Sequence, residues 1–536
     1  MTTPSCFFAR FALLNVLFCL TSCSSSPVAE HSASPAIPES AIDRIFDDVM
    51  QRYQLPGMAL GVIVDGKVVY TRTAGESLAG SNLKINEDTL FKIASNSKAM
   101  TTGLLARLVD AGKLHWDDPV TRYLPDFKMY DPWVTQQIQV RDLLIHNTGL
   151  REGAGDLMLW PEPNLFGRAD ILAGLAYLKP QQSFRSHYAY DNLMYVVAGE
   201  VAAAAGGAPY EELLRREVFA PLSMTRCQVG AWDRDLVGNV AQPHMRQDNR
   251  NVLIRADETL IPVDTAAAAG GIRCSLKDML TWMSMWLDDS PRTADGKPWI
   301  SIEQRDALWS AHTPMPLSKR QRAWDGSHIN AYGYGWRLSD VDGVWRVAHT
   351  GTLAGMYSAV NLFPDKRAGF VFLINGEGSD ARAVLNSALA KVLTGSKAIH
   401  PVSWYADELV RERQQTPKDR QAPDTSARTA ATMASMKQHL GIYRDPWFGE
   451  VSICESDEAV TFSSRKSPQL TGKVMQVGDR MLIDWNQDDV DAEAWLTFDD
   501  PKNDKQSLLT LSKVDPDADF SFDYEDLAFA RVGDCK

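Results

Sequence analysis

The segment Phe91-Lys-Ile-Ala-Ser95-Asn-Ser-Lys98 sets a hydroxyl and an amine three residues apart. On a helix that spacing brings both side chains to one face, one turn from each other. A serine hydroxyl is a weak nucleophile until a neighbouring base takes its proton. A lysine serves as that base where burial or nearby positive charge disfavours its ammonium form. Amides at a helix N-terminus also favour negative charge on the serine oxygen. The plainer alternative is a helix cap followed by a surface lysine. A second Ser-x-x-Lys, Ser463 to Lys466, lies in a tail of short strands and is set aside.

Two further pieces add to the first. Tyr188-Ala-Tyr190-Asp191-Asn192 offers a phenol for proton transfer at Tyr190 and, two residues on, an amide at Asn192 to orient a substrate. Val347-Ala-His349-Thr350-Gly351-Thr352 follows a strand, where a glycine permits close approach of backbone to a ligand. An edge strand there, with free amides, would hold an extended substrate and donate to an oxyanion. Taken singly, Tyr190 reads better as core packing and His349 as a satisfied strand residue. No Cys-x-x-Cys pair, His-Glu-x-x-His or Gly-x-Ser-x-Gly occurs, so zinc chemistry, thiol–disulfide chemistry and an α/β-hydrolase elbow lack support, and no metal or cofactor is expected.

In this order the three motifs resemble the serine β-lactamase/penicillin-recognising superfamily, in its class C and D,D-peptidase-like branch. Arg141-Asp-Leu-Leu-Ile-His146-Asn-Thr-Gly149, Ala269-Gly-Gly271 and Tyr334-Gly-Trp336 match at corresponding places, and the likeness covers roughly residues 40–395. The resemblance implies that Ser95 attacks a scissile carbonyl and forms an acyl-enzyme, with Lys98 and Tyr190 sharing the acid and base work. It also implies that Asn192 binds the substrate amide, that His349 and Thr350 contact the substrate's carboxylate or leaving side, and that Gly351 belongs to the same substrate-binding strand. The amides of Ser95 and Thr352 then form the oxyanion hole. The sequence departs from the family pattern at His349, where β-lactamases usually carry lysine, and at Asp191, where serine is common. A neutral imidazole lacks the fixed charge that holds a drug carboxylate. The expected substrate is therefore a small peptide, amide or ester, plausibly a D-amino-acid peptide. A class C-like esterase or weak β-lactamase is one alternative, and a non-catalytic cell-wall-binding protein another.

Elements that would position these residues are legible around them. Ser40 reads as a helix N-cap, with Ile42, Ile45, Phe46, Val49 and Met50 forming one apolar stripe. Met58–Val64 and Lys67–Thr73 read as strands joined by Asp65-Gly66, a type I′ hairpin. Residues 95–325 are mainly helical, and strand character returns at Tyr332–Leu338, Val344–His349, Ser358–Phe363 and Gly369–Asn375, followed by a helix over Ala381–Leu393. Strands far apart in sequence with helices between them predict an α/β fold: a β-lactamase/transpeptidase-like antiparallel sheet flanked by helices, with an inserted all-α domain. That domain is expected over 39–407. A Pro-punctuated polar linker is expected over 408–430 and a small C-terminal β domain over 431–536.

The chain has 536 residues with ordinary globular composition, 45% hydrophobic and 23% charged, and enough length for about three domains. Its net charge of −13 argues against nucleic acid as a partner. The excess is concentrated in residues 431–536, which hold 21 acidic and 11 basic residues. Within them Asp515-Pro-Asp-Ala-Asp519 lacks the glycine and glutamate of an EF-hand loop and reads as a solvated acidic face. At the N-terminus, residues 1–22 read as a signal peptide too short to span a membrane. They end in Leu20-Thr-Ser-Cys23, which resembles the bacterial lipobox, and a Ser/Ala/Pro-rich tether follows to residue 38. Lipidation at Cys23 predicts a membrane anchor facing the periplasm of a bacterial cell envelope, with Ser24 resembling outer-membrane sorting. Four cysteines remain beyond it, Cys227, Cys274, Cys454 and Cys535. A Cys454–Cys535 clip and free thiols are equally compatible with the spacing.

Overall fold

The computed structural model describes residues 38–417, 420–456, 459–499 and 508–535. The segment expected to be a signal peptide, Cys23 and the expected tether up to residue 37 lie outside them. Helix α1, Glu39–Arg52, buries Ile42, Ile45, Phe46 and Val49, as the stripe predicts. It starts ahead of Ser40: Pro38 takes the cap position, where a missing N–H leaves no orphan donor. Strands β1, Gly57–Val64, and β2, Lys67–Gly75, form the expected hairpin. Asp65 and Gly66 both take positive φ, +50° and +74°, as a type I′ turn requires.

The remaining strands of the main sheet come some 240 residues later. They are β3 Thr313–Pro314, β4 Asn330–Tyr332, β5 Arg337–Val341, β6 Val344–Leu353, β7 Met356–Phe363 and β8 Ala368–Ile374. The eight-stranded antiparallel order is β2-β1-β8-β7-β6-β5-β4-β3. The strand expected over 332–338 is in fact two, divided by a turn in which Gly333 N–H donates to the Trp336 carbonyl. Gly335 in that turn has φ +74°, and a Cβ there would lie 2.9 Å from the Lys98 carbonyl. Packing of this turn on the neighbouring helix, rather than local strand preference, fixes its shape.

Alternate residues of β1 serve two cores. Met58, Leu60 and Val62 join Phe370, Phe372 and Ile374 beneath α1, α5 (Ser379–Thr394) and α6 (Val402–Gln414). Ala59 and Ile63 face the other layer, built from α2 (Ser97–Asp110), α3 (Leu193–Gly206), α4 (Leu276–Leu287) and the loops between them. The inserted region carries short hairpins as well as helices, including His244–Gln247 with Arg250–Leu253. Helix α6 also claims the first part of the stretch read as linker from 408. Its buried stripe Val402, Tyr405, Ala406, Leu409 makes the polar residues around 408–414 the solvent side of an amphipathic helix.

The C-terminal domain is a closed barrel. Strands β9 Gly441–Asp445, β10 Gly449–Ser456, β11 Ala459–Ser464, β12 Thr471–Val477, β13 Arg480–Trp485, β14 Ala494–Asp499, β15 Leu508–Lys513 and β16 Ala528–Gly533 each pair with the next, and β9 pairs with β16. Closure leaves no open sheet edge around the ring. Val451, Ile453, Phe462, Val474, Ile483, Leu509 and Phe529 fill the barrel's share of the core. All four of these cysteines pair, Cys454 on β10 with Cys535 just past β16, two strands that flank β9, and Cys227 with Cys274 in the helical layer.

Candidate active site

Ser95 sits in a single 3-10 turn, Ala94–Asn96, that runs directly into α2. The turn is delivered by Phe91–Lys92, which pairs with Arg273–Cys274, the strand held by the Cys227–Cys274 bond. Ala94 has φ +48°, a costly conformation for a residue with a Cβ. Its surroundings impose it. Ile93 N–H donates to Ile272 O at 3.0 Å, and Ser358 Oγ ties the turn to β7 by donating to Ile93 O and accepting from Asn96 Nδ2, each at 2.7 Å. The Ser95 side chain remains half-exposed, open to a substrate, while Lys98 one helical turn on is fully buried.

The Lys98 amine lies 3.2 Å from Ser95 Oγ, 2.7 Å from Asn192 Oδ1 and 2.8 Å from the Ala269 carbonyl. The last contact gives the Ala269-Gly-Gly271 motif its purpose: it lays a carbonyl over the lysine. Burial lowers the Lys98 pKa to about 7, with Arg337 pushing the same way and the carboxylates of Asp156 and Asp191 opposing. At neutral pH a large share of this amine is therefore an unprotonated base.

Tyr190 closes the other side. Lys98 Nζ stands 4.9 Å from its ring centroid, and the Ser95 hydroxyl is near enough to the phenol to favour its ionised form. Burial raises the phenol's pKa, against the opposing pull of Arg337 and of the Ser95 hydroxyl, so it stays protonated. The ring is held by His146, whose centroid lies 4.3 Å away and whose Nδ1 accepts the Asp191 N–H at 3.0 Å. Asp191, the departure from the family pattern, accepts the Met194 N–H in the first turn of α3. Asn192 is tied into the site on both sides, with one N–H of its amide left over for a substrate. Its oxygen is taken by Lys98, and its amide donates to Asp156 Oδ2 at 2.8 Å.

The third motif lies along an open edge. Strand β6 pairs with β7 through Leu353, but its pairing with β5 ends at Ala348, opposite Arg337. The tight turns at 342–343 and 354–355 set the alternation of bonded pairs. Val344, Arg346 and Ala348 turn their amides to β5, so Thr350 and Thr352 point theirs at the vacated side. Gly351 is demanded by contact: a Cβ there would sit 2.2 Å from Ile93 O, inside the Ser95 turn. His349 faces inward, 1% exposed, with burial holding its pKa well below the imidazole range. Thr352 is exposed, and Arg382 from α5 bonds both its hydroxyl and the Gly351 carbonyl.

The motifs leave four contributors unannounced: Arg337, Arg382, Asp156 and, from the barrel, the loop around Phe520 and Ser521. Arg337 places its guanidinium 5.6 Å from the Tyr190 ring centroid and 5.9 Å from that of Tyr332. Its Nε is buried without a hydrogen-bond partner among the described residues. Its only sequence signal is adjacency to Tyr334-Gly-Trp336. The discarded Ser463-x-x-Lys466 is spent structurally, with Lys466 paired to Asp170 at 2.6 Å.

The family model described as Beta-lactamase matches residues 42–394. An unguisins hydrolase of Aspergillus campestris is 25% identical over 82% of this chain and 81% of its own length. The D-alanyl-D-alanine-carboxypeptidase/endopeptidase AmpH of Escherichia coli is 27% identical over 52% of this chain and 69% of its own. Penicillin-binding protein 4 of Amycolatopsis lactamdurans is 26% identical over 62% and 84%. Among solved structures, an octameric penicillin-binding protein homologue from Pyrococcus abyssi superposes with a TM-score of 0.58 at 17% identity, covering 92% of this chain and all of that one. A class C beta-lactamase superposes with a TM-score of 0.53 at 19% identity, covering 68% of this chain and 97% of that one.

Proposed function

We propose, from the premise that the chain belongs to the beta-lactamase family and is a serine hydrolase, that Ser95 is its nucleophile and that it cleaves a small peptide through an acyl-Ser95 intermediate. The carrying observation is the buried Lys98 amine 3.2 Å from the Ser95 hydroxyl. Neutral Lys98 takes the hydroxyl proton as Ser95 Oγ adds to the scissile carbonyl. The Tyr190 phenol, kept protonated by burial, passes a proton to the leaving group and is resupplied from Lys98. The amides of Ser95 and Thr352 stabilise the oxyanion. Water, activated by the same pair, then releases the acyl group and restores Ser95.

The open edge of β6 supports an extended, peptide-like substrate, with the Thr350 and Thr352 amides as its hydrogen-bond partners. Arg337, at the end of that edge, supports a substrate carrying a free carboxylate, and supplies the fixed charge that neutral His349 lacks. Together with the activity in AmpH's name, this favours a D-amino-acid peptide cut near its C-terminus. The test is turnover by purified protein of a D-Ala-D-Ala peptide, a p-nitrophenyl ester and a cephalosporin. Peptide turnover is expected, and activity confined to the cephalosporin overturns this reading. The lipobox-like Leu20-Thr-Ser-Cys23 supports a lipid-anchored, periplasm-facing enzyme. Radiolabelled palmitate should enter the wild type and not Cys23→Ala; equal incorporation refutes the anchor.

A further inference from the structure

The loop joining β15 to β16 crosses from the barrel to the back of the Ser95 site. Ser521 Oγ donates to Asp156 Oδ2 at 2.7 Å, the same oxygen that accepts the Asn192 amide. Asp523, fully buried, accepts the N–H groups of Gly155 at 2.6 Å and Leu157 at 3.1 Å, on either side of Asp156. The Phe520 ring stands edge-on to Tyr190, 5.7 Å between centroids. The facing strand of chain is cut to fit this loop. Gly153 has φ +74°, and a Cβ there would lie 2.5 Å from the Phe520 carbonyl. Arg151 pairs with Glu525 at its flank. A surface contact between two independent domains does not need a glycine, two buried carboxylates and a half-buried hydroxyl bonded to one of them.

We propose that Ser521, carried by the barrel, is a positioning residue of the Ser95 site: its hydroxyl holds Asp156, Asp156 holds Asn192, and Asn192 holds the Lys98 amine beside Ser95. The inference rests on the acyl-Ser95 reading above. The two domains then form one active site, and the barrel is part of the catalytic apparatus. The ionisable groups facing the Lys98 amine are Asp156 on the 151–158 loop, which burial pushes well above the usual carboxylate range, Asp191 ahead of α3, which burial pushes up to about 7, and the guanidinium of Arg337 on β5. His146 and His349 face it as neutral rings, Tyr190 and Tyr195 as neutral phenols, and Asp523 acts on it through Asp156. The Ser521 bond favours the ionised form of Asp156, and ionised Asp156 favours protonated Lys98.

The experiment is fluorophosphonate labelling of the full chain across a range of pH, with wild type, Ser95→Ala, Ser521→Ala and Ser521→Thr. Wild type labels and Ser95→Ala does not. Ser521→Ala labels about tenfold more slowly, as loss of a hydrogen bond to a carboxylate predicts. The acid limb of its profile moves to lower pH, because Asp156 ionises less readily without that donor. Ser521→Thr restores both. A wild-type rate in Ser521→Ala overturns the inference. So does a slower rate with an unmoved limb, since a folding defect lowers the amount of active enzyme and not the ionisation of its base. Wild type that fails to label sinks the acyl-serine reading itself.

Discussion

The Tyr332 hydroxyl lies 2.8 Å from Nε2 of His349, while Nδ1 of the same ring lies 2.8 Å from the Thr350 carbonyl. A carbonyl only accepts, so Nδ1 carries the ring's proton; the buried ring is neutral, and Nε2 accepts from the phenol. His349 is thus a fixed dipole at the start of the open edge. The positive charge beside it belongs to Arg337, one strand over.

Replacing that charge should therefore sort substrates by their own charge. Arg337→Ala lowers kcat/KM for a carboxylate-bearing peptide by roughly thirtyfold, equivalent to about 2 kcal/mol for a charge-assisted bond, and leaves a neutral ester within about threefold. Parallel steady-state assays on the two substrates measure it. Equal losses on both would remove Arg337 from carboxylate recognition.

Lys98 sets the pH dependence. Its ammonium form cannot take the Ser95 proton, and burial places its pKa at about 7. Plots of kcat/KM against pH should fall roughly tenfold per unit below that value and level off above it. Burial holds the Tyr190 phenol protonated beyond the usual range for tyrosine, so no alkaline limb is expected below about pH 10. A profile flat through neutrality, or a limb at the ordinary carboxylate pKa, contradicts Lys98 as the base.

Tyr190→Phe keeps the ring that packs on His146 and removes only the hydroxyl. It should lower kcat/KM by about a hundredfold or more while the melting temperature stays within a few degrees. Calorimetry alongside kinetics separates the two effects. A mutant near wild-type rate assigns all proton transfer to Lys98.

What the sequence made legible, and what it hid, divides by the range of the interactions. Ser95 and Lys98 were readable because three residues on a helix are neighbours whatever surrounds them. The β1–β2 hairpin was readable because Asp65-Gly66 suits only a narrow set of turns. The break between β4 and β5 was not, since Gly335 takes its positive φ from packing on α2. The start of the polar stretch at 408 hid a helix whose apolar stripe begins earlier, at Val402. Asp156, Ser521 and Asp523 meet across more than 360 residues, and no local pattern marks them. The acidic loop was legible only in part: Asp517 and Asp519 are exposed as a solvated face requires, but Asp523 a few residues on is buried against the Gly155 and Leu157 amides.

The Cys454–Cys535 bond closes a loop of 81 residues that contains most of the barrel. Removing it as Cys454→Ser with Cys535→Ser frees the unfolded chain and should cost about 4 kcal/mol of barrel stability. Chemical denaturation followed by tryptophan fluorescence reads the change. An unchanged midpoint would show that barrel closure through β9 and β16 is sufficient without the bond. If the barrel positions the catalytic residues, this variant should also lose labelling at lower denaturant than the wild type.

The central claim is that the Ser95 hydroxyl becomes a covalent acyl carrier. Its most direct test is the mass of the Ser95-containing proteolytic peptide after brief exposure to a peptide or ester substrate and acid quench. The account predicts that this peptide gains the mass of the acyl half of the substrate, and that Lys98→Ala abolishes the gain. An unmodified Ser95 peptide during demonstrable turnover, or an acyl group on any other residue, would contradict it.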